Sequence, residues 1–77
     1  MTVKELFEHF NIYFKSIRYY SRHTKETVIF ESQENNVIHR VLVTNSFIAV
    51  HGDEKVIDWH YNIDAENNNE ITIEVKK

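Results

Sequence analysis

Hydrophobic and polar positions alternate in three different ways along this chain. Near the start, Val3, Leu6, Phe7 and Phe10 recur at three- and four-residue spacing, which makes one apolar stripe of a helix. Thr2 followed by Glu5 fits a capping box, and Met1 with Leu6 is spaced as a hydrophobic staple. Phe14 and Ile17 continue the period, so the helix could run to about Tyr20; an end near Asn11 is favoured, because Asn suits a helix C-cap. Residues 15–21 and 27–31 then read as a hairpin with its tip at 22–26.

Beyond the polar loop from Ser32 to Asn36, the run from Val37 to Thr44 reads as a strand, broken by Asn45-Ser46. Phe47 to His51 leads to Gly52-Asp53, a two-residue hairpin signal, with a single helical turn ending at Gly52 as the competing reading. The C-terminal part is the most regular. Ile57, Trp59, Tyr61 and Ile63 alternate with Asp58, His60 and Asn62, and Ile71 to Val75 alternates again across a polar loop at 64–69. Period two with one polar face predicts half-buried antiparallel strands. The pattern predicts an α+β fold in which one N-terminal helix packs on an antiparallel sheet of about five strands. Trp59 is expected in the core against Leu6, Phe7 and Phe10; the opposing reading is an exposed Trp at the centre of a partner surface.

Composition supports a sheet. Nine Ile and eight Val against two Leu favour pleated surfaces over helices, because branching at Cβ restricts χ1. Proline is absent and Gly52 is the only glycine, so most turns must draw on the eight Asn. At 77 residues the chain is expected to form one domain, 1–77. With no cysteine there is neither a disulfide framework nor a thiolate metal site. No apolar run is long enough for a membrane span and no signal peptide is visible, so a cytoplasmic location is expected.

Three short segments resemble small proteins of phages and mobile elements in Gram-positive bacteria. They are Thr2 to Leu6 (TVKEL), Lys55 to Trp59 (KVIDW) and the closing Ile71 to Val75 (ITIEV). Those proteins begin with a short capped helix and end in a hairpin with a Trp in its first strand. About half the chain takes part. The glycine-bearing acidic turn often seen after their first strand is replaced here by Arg22-His23-Thr24-Lys25. The group mostly has no assigned function, so the resemblance implies an accessory protein and carries over no site residues.

Charge is unevenly spread. Residues 1–40 carry a net +1 and residues 41–77 a net −4 within a total of −3, and no acid lies between Glu8 and Glu26. That gap mixes cations with rings. Arg18, Tyr20, Arg22 and Lys25 are the candidate contacts for single-stranded nucleic acid, cations on phosphate and rings on bases. The negative total weighs against that reading. The acidic half offers a second surface, with Glu70, Glu74, Asp58 and His60 as candidate contacts for a protein partner. Glu70, Glu74, Lys76 and Lys77 also look like guards of an exposed edge strand.

Chemistry beyond binding finds little support. Five His give only pairs, Asp58-x-His60 on one strand face and His51 with Asp53 across a turn, where a closed zinc site needs four ligands. One glycine cannot build a phosphate loop, and the serines lie in no nucleophile signature. A single sheet without a second layer also offers little concavity for a ligand. The expected function is therefore noncatalytic, without cofactor or metal: a small protein-interaction module that self-associates through a sheet edge or an open sheet face, or binds a protein partner. Single-stranded nucleic-acid binding through residues 13–25 is the alternative.

Overall fold

The computed structural model describes residues 1–33 and 36–76. Its elements run α1 (Val3–Phe10), β1 (Ser16–Ser21), β2 (Thr27–Glu31), α2 (Val37–His51), β3 (Val56–Ile63) and β4 (Asn69–Val75). The α+β class holds, but among the described residues two helices and four strands replace one helix and about five strands. The sheet order is β2-β1-β4-β3. Its two hairpins are antiparallel, while the central pair β1 and β4 is parallel, with Ile17 opposite Ile71 and Tyr19 opposite Ile73. The sheet is mixed, therefore, and not wholly antiparallel.

α1 begins and ends where its residues require. The Thr2 hydroxyl accepts the Glu5 N–H at 3.2 Å, and the Glu5 carboxylate accepts the Thr2 N–H at 2.8 Å, which closes the capping box. Asn11 closes the C-terminus in the left-handed region at φ 53°. Asn67 takes the same region in the β3–β4 loop at φ 66°. Asn thus supplies two of the turns that a glycine-poor chain needs.

The largest correction concerns 37–51, expected as two strands and observed as one fifteen-residue helix. Asn36 caps it by accepting the His39 N–H at 2.9 Å. Asn45-Ser46, read as a strand break, sits in mid-helix, and Gly52 follows at φ −56°, so the helical-turn reading was the sound one there. A Cβ at position 52 would collide with the Ile48 carbonyl oxygen, so the glycine is needed for space. Intrinsic propensity is a weak term that packing overrides. Val43, Thr44, Phe47, Ile48 and His51 recur at three- and four-residue intervals and turn toward the sheet. Glu34 and Asn35 of the expected loop lie outside the described residues.

Both helices cover one face of the sheet. Ile17, Tyr19, Ile71, Ile73 and Val75 point into a core completed by Val3, Leu6, Phe7, Phe14 and Phe47. Phe47 links the layers, with ring centroids 5.6 Å from Phe7, 5.7 Å from Tyr19 and 5.1 Å from Phe30. The segment between α1 and β1 is held by side chains from remote elements. Phe14 donates its N–H to the buried Thr44 hydroxyl at 3.0 Å. Asn69 accepts the Lys15 N–H at 2.7 Å and donates to the Tyr13 carbonyl at 3.0 Å. Buried backbone groups outside regular structure need such partners.

Trp59 is only partly in this core. It faces the helix layer from edge strand β3 and meets Phe10 edge-on at 5.3 Å, yet remains 45% exposed. Leu6 is buried in the core away from it, and Phe7 packs on Phe14 and Phe47, with ring centroids at 4.9 and 5.6 Å.

Candidate interaction surface

The uncovered sheet face collects most of the residues singled out from sequence. Strand alternation places Arg18 and Tyr20 of β1 on it, with Glu70, Thr72 and Glu74 of β4 and Asp58 and His60 of β3. The two surfaces expected to be separate are therefore one. Arg18 lies 3.9 Å from Glu70, and Arg22, just beyond β1, lies 2.8 Å from Glu74. Lys25 stands apart in the β1–β2 turn, in the left-handed region at φ 61°. Two of the four candidate nucleic-acid contacts thus face carboxylates already within ion-pair distance. Phosphate would have to displace those carboxylates, which weakens the electrostatic attraction on which such binding depends.

The expected edge strand is not an edge. β4 pairs on both sides, and the edges are β2 and β3. Glu70 and Glu74 consequently lie on a central strand, where they meet Arg18 and Arg22, and Lys76 donates its backbone N–H to Lys55. Lys77 lies outside the described residues.

A partly buried polar cluster at the C-terminal end of α2 was missed. Glu54 accepts the Tyr19 hydroxyl through one carboxylate oxygen and contacts His51 Nδ1 at 2.7 Å through the other. The His51 ring lies tilted against those of Tyr19 and Phe47, with centroids at 4.5 and 4.8 Å. Burial, with Glu54 as second cause, raises the Tyr19 hydroxyl well above its ordinary pKa. The cluster fastens α2 and the α2–β3 loop to β1. His51 therefore meets Glu54 and not Asp53, the partner expected from spacing. Among the described residues no three His, Asp or Glu side chains converge in a form that could hold a metal.

The surface with the clearest unmet physical demand lies on α2. α1 keeps its apolar side chains on one side; α2 carries them all round. Turned outward are Ile38 at 74%, Leu42 at 59% and Val50 at 73% exposure, beside Asn45, Ser46 and Ala49. Arg40, the only Lys, Arg, Asp or Glu of the helix, lies on the other side and donates to the Asn67 carbonyl. Between α2 and edge strand β2 runs an open groove of about 350 Å³, floored by Phe30 and Phe47 and rimmed by Leu42, Val50 and His39. The second layer supplied by α2 provides a concavity that a bare sheet would lack. The sequence carried a signal for this surface, an almost uncharged stretch from Val37 to Val50, but as strands it had no outward helical face.

No family model matches the chain, and no curated protein or solved structure matches it either. Among the described residues no helix is long and apolar enough to cross a membrane.

Proposed function

We propose that this protein is a noncatalytic, cytoplasmic protein-interaction module, and that it binds its partner through the outward face of α2 and the groove beside β2. One observation carries the reading: a helix apolar on all sides, with Ile38, Leu42 and Val50 in water. A helix of that kind is normally buried, and a contiguous exposed apolar patch on a small domain marks an interaction site. The neighbouring strand β2 is a sheet edge, with backbone groups available to a partner. An accessory role of the phage or mobile-element type suits a module that needs no cofactor, and the resemblance of the segments at 2–6, 55–59 and 71–75 supports it.

The test is site-specific photo-crosslinking in cells that produce the protein. A photoreactive side chain at Leu42 is expected to give a discrete protein adduct, and one at Asn62, exposed on the open sheet face of β3, none. No adduct from Leu42, or equal adducts from both positions, overturns the reading.

A further inference from the structure

β3 is an edge strand with almost no charge of its own. From Val56 to Ile63 the only Lys, Arg, Asp or Glu is Asp58, and neither Gly nor Pro interrupts the run. Ile57, Trp59 and Ile63 are all exposed. A long apolar edge of this kind is a template on which another strand pairs, unless something blocks it.

The backbone register shows which groups an added strand would meet. Pairing with β4 keeps one register from Asp58 opposite Glu74 to Ile63 opposite Asn69, and just beyond it Asp64 donates its N–H to the Asn68 carbonyl at 3.1 Å. In an antiparallel ladder, bonding to one neighbour alternates along the strand. His60 and Asn62 therefore bond inward to β4, whereas Trp59, Tyr61 and Ile63 turn their N–H and C=O groups outward. The outer side is already covered at the start of the strand. Val56 donates its N–H to the Met1 carbonyl at 2.8 Å, and Thr2 bridges Lys55. The open edge thus begins after Val56, at a bulge between Val56 and Asp58.

Asp58 stands at that point. Its Oδ1 accepts the Trp59 N–H at 2.9 Å, so the first of the three outward N–H groups is taken by a carboxylate. An incoming strand would have to put a carbonyl oxygen where that carboxylate stands, against its negative charge. The bulge adds local twist, which turns the edge away from a flat partner. A charge, a bulge and a covering segment are three of the devices by which proteins keep sheet edges unpaired, and all three meet within four residues here.

We infer that Asp58 is the guard of the β3 edge: its carboxylate caps the Trp59 N–H and keeps both a second copy of this chain and a foreign strand from adding to the sheet there. The inference is independent of the reading of α2 as an interaction surface. It gives Asp58 a role opposite to that of a partner contact.

Trp59, the only Trp, lies on this edge and reports on it directly. The test compares Asp58, Asp58→Asn and Asp58→Ala across a concentration series, each in a Leu42→Glu background so that the α2 face contributes no contact. Light scattering measures mass, iodide quenching measures access to Trp59, and circular dichroism checks the fold. A hydrogen bond to a charged group is strong enough that its loss should let the Ala variant associate at a concentration at least about tenfold lower than the parent. Its Trp59 should become shielded from iodide as the mass rises. The Asn variant keeps an acceptor oxygen but no charge and should fall between the two. A folded Ala variant that associates no more readily than the parent overturns the inference. So does association that leaves Trp59 as accessible as in the monomer, because the contact then lies elsewhere, and so does a parent whose own association shields Trp59. If the Ala variant does not fold, the Asn variant decides, and one indistinguishable from the parent overturns the guard.

Discussion

Arg22 and Glu74 meet at 2.8 Å beside the paired strands β1 and β4. The contact joins the cation of one candidate surface to the carboxylate of the other, and Arg18 with Glu70 repeats the arrangement at 3.9 Å. An open sheet face of alternating sign attracts neither polyanions nor basic surfaces strongly. A labelled single-stranded oligonucleotide at about 50 mM salt should therefore show no saturable binding to about 50 µM protein. Glu70→Gln with Glu74→Gln should permit weak, salt-sensitive binding. Tight binding by the unaltered chain would show that phosphate displaces both carboxylates.

Phe47 and Trp59 should differ sharply in what their removal costs. Phe47 is 2% exposed and packs on rings from α1, β1 and β2. Phe47→Ala should cost about 3–5 kcal/mol, a large share of the total stability of so small a domain. Trp59 buries only part of its surface against Phe10, so Trp59→Ala should cost about 1–2 kcal/mol and leave the fold intact. Urea denaturation measures both. Iodide should quench Trp59 readily in the native protein. Equal costs for the two variants would place Trp59 in the core after all.

Thr44 is buried in α2 and takes the Phe14 N–H on its hydroxyl. Thr44→Val keeps the shape and strands that N–H, at an expected cost of about 1–3 kcal/mol. Thr44→Ser keeps the acceptor and should retain more stability than the Val variant. The reverse order in thermal melts would mean that the methyl group, not the hydrogen bond, matters at this position.

Two carboxylates tie local structure to pH. Glu5 is held below its usual pKa chiefly by the Thr2 backbone N–H it accepts, and Asp64 chiefly by that of Asn68. A depressed carboxyl contributes stability above its unfolded pKa and loses it as pH falls through its folded value. The contribution should be present above roughly pH 4–4.5 and disappear in stronger acid. Melting temperatures of Glu5→Gln and Asp64→Asn should lie below those of the parent near neutrality and converge with them toward about pH 2. A gap that stays constant with pH would locate the effect of substitution elsewhere.

Local chemistry made much of this protein legible from sequence. The Thr2–Glu5 capping box and the Asn11 cap need only neighbouring residues, and both are as read. The hairpin over 15–31 and the alternation in 57–63 and 71–75 are also local patterns, and each appears as a strand near the expected bounds. The residues of the open sheet face could be named one by one, but not their convergence. Arg22 and Glu74 are 52 positions apart, and only strand order brings them together.

The segment from Val37 to His51 shows where local reading fails and why. Its Val and Ile residues favour a strand taken singly, by a margin of tenths of a kcal/mol per residue. Packing Phe47, Thr44 and Ile48 onto the sheet is worth more than that preference, so tertiary contact sets the helix. That choice turns Ile38, Leu42 and Val50 outward and opens the groove beside β2. Strand order was likewise beyond the sequence. Alternation says which side chains share a face, not which strands are neighbours, so nothing local could show that β4 would lie beside β1 at the centre of the sheet. The sequence by itself determined caps, turns and strand faces, because each depends on residues a few positions apart. Only the tertiary structure decided the second helix, the central place of β4 and the exposed face of α2, because these depend on burial shared among segments remote in the chain.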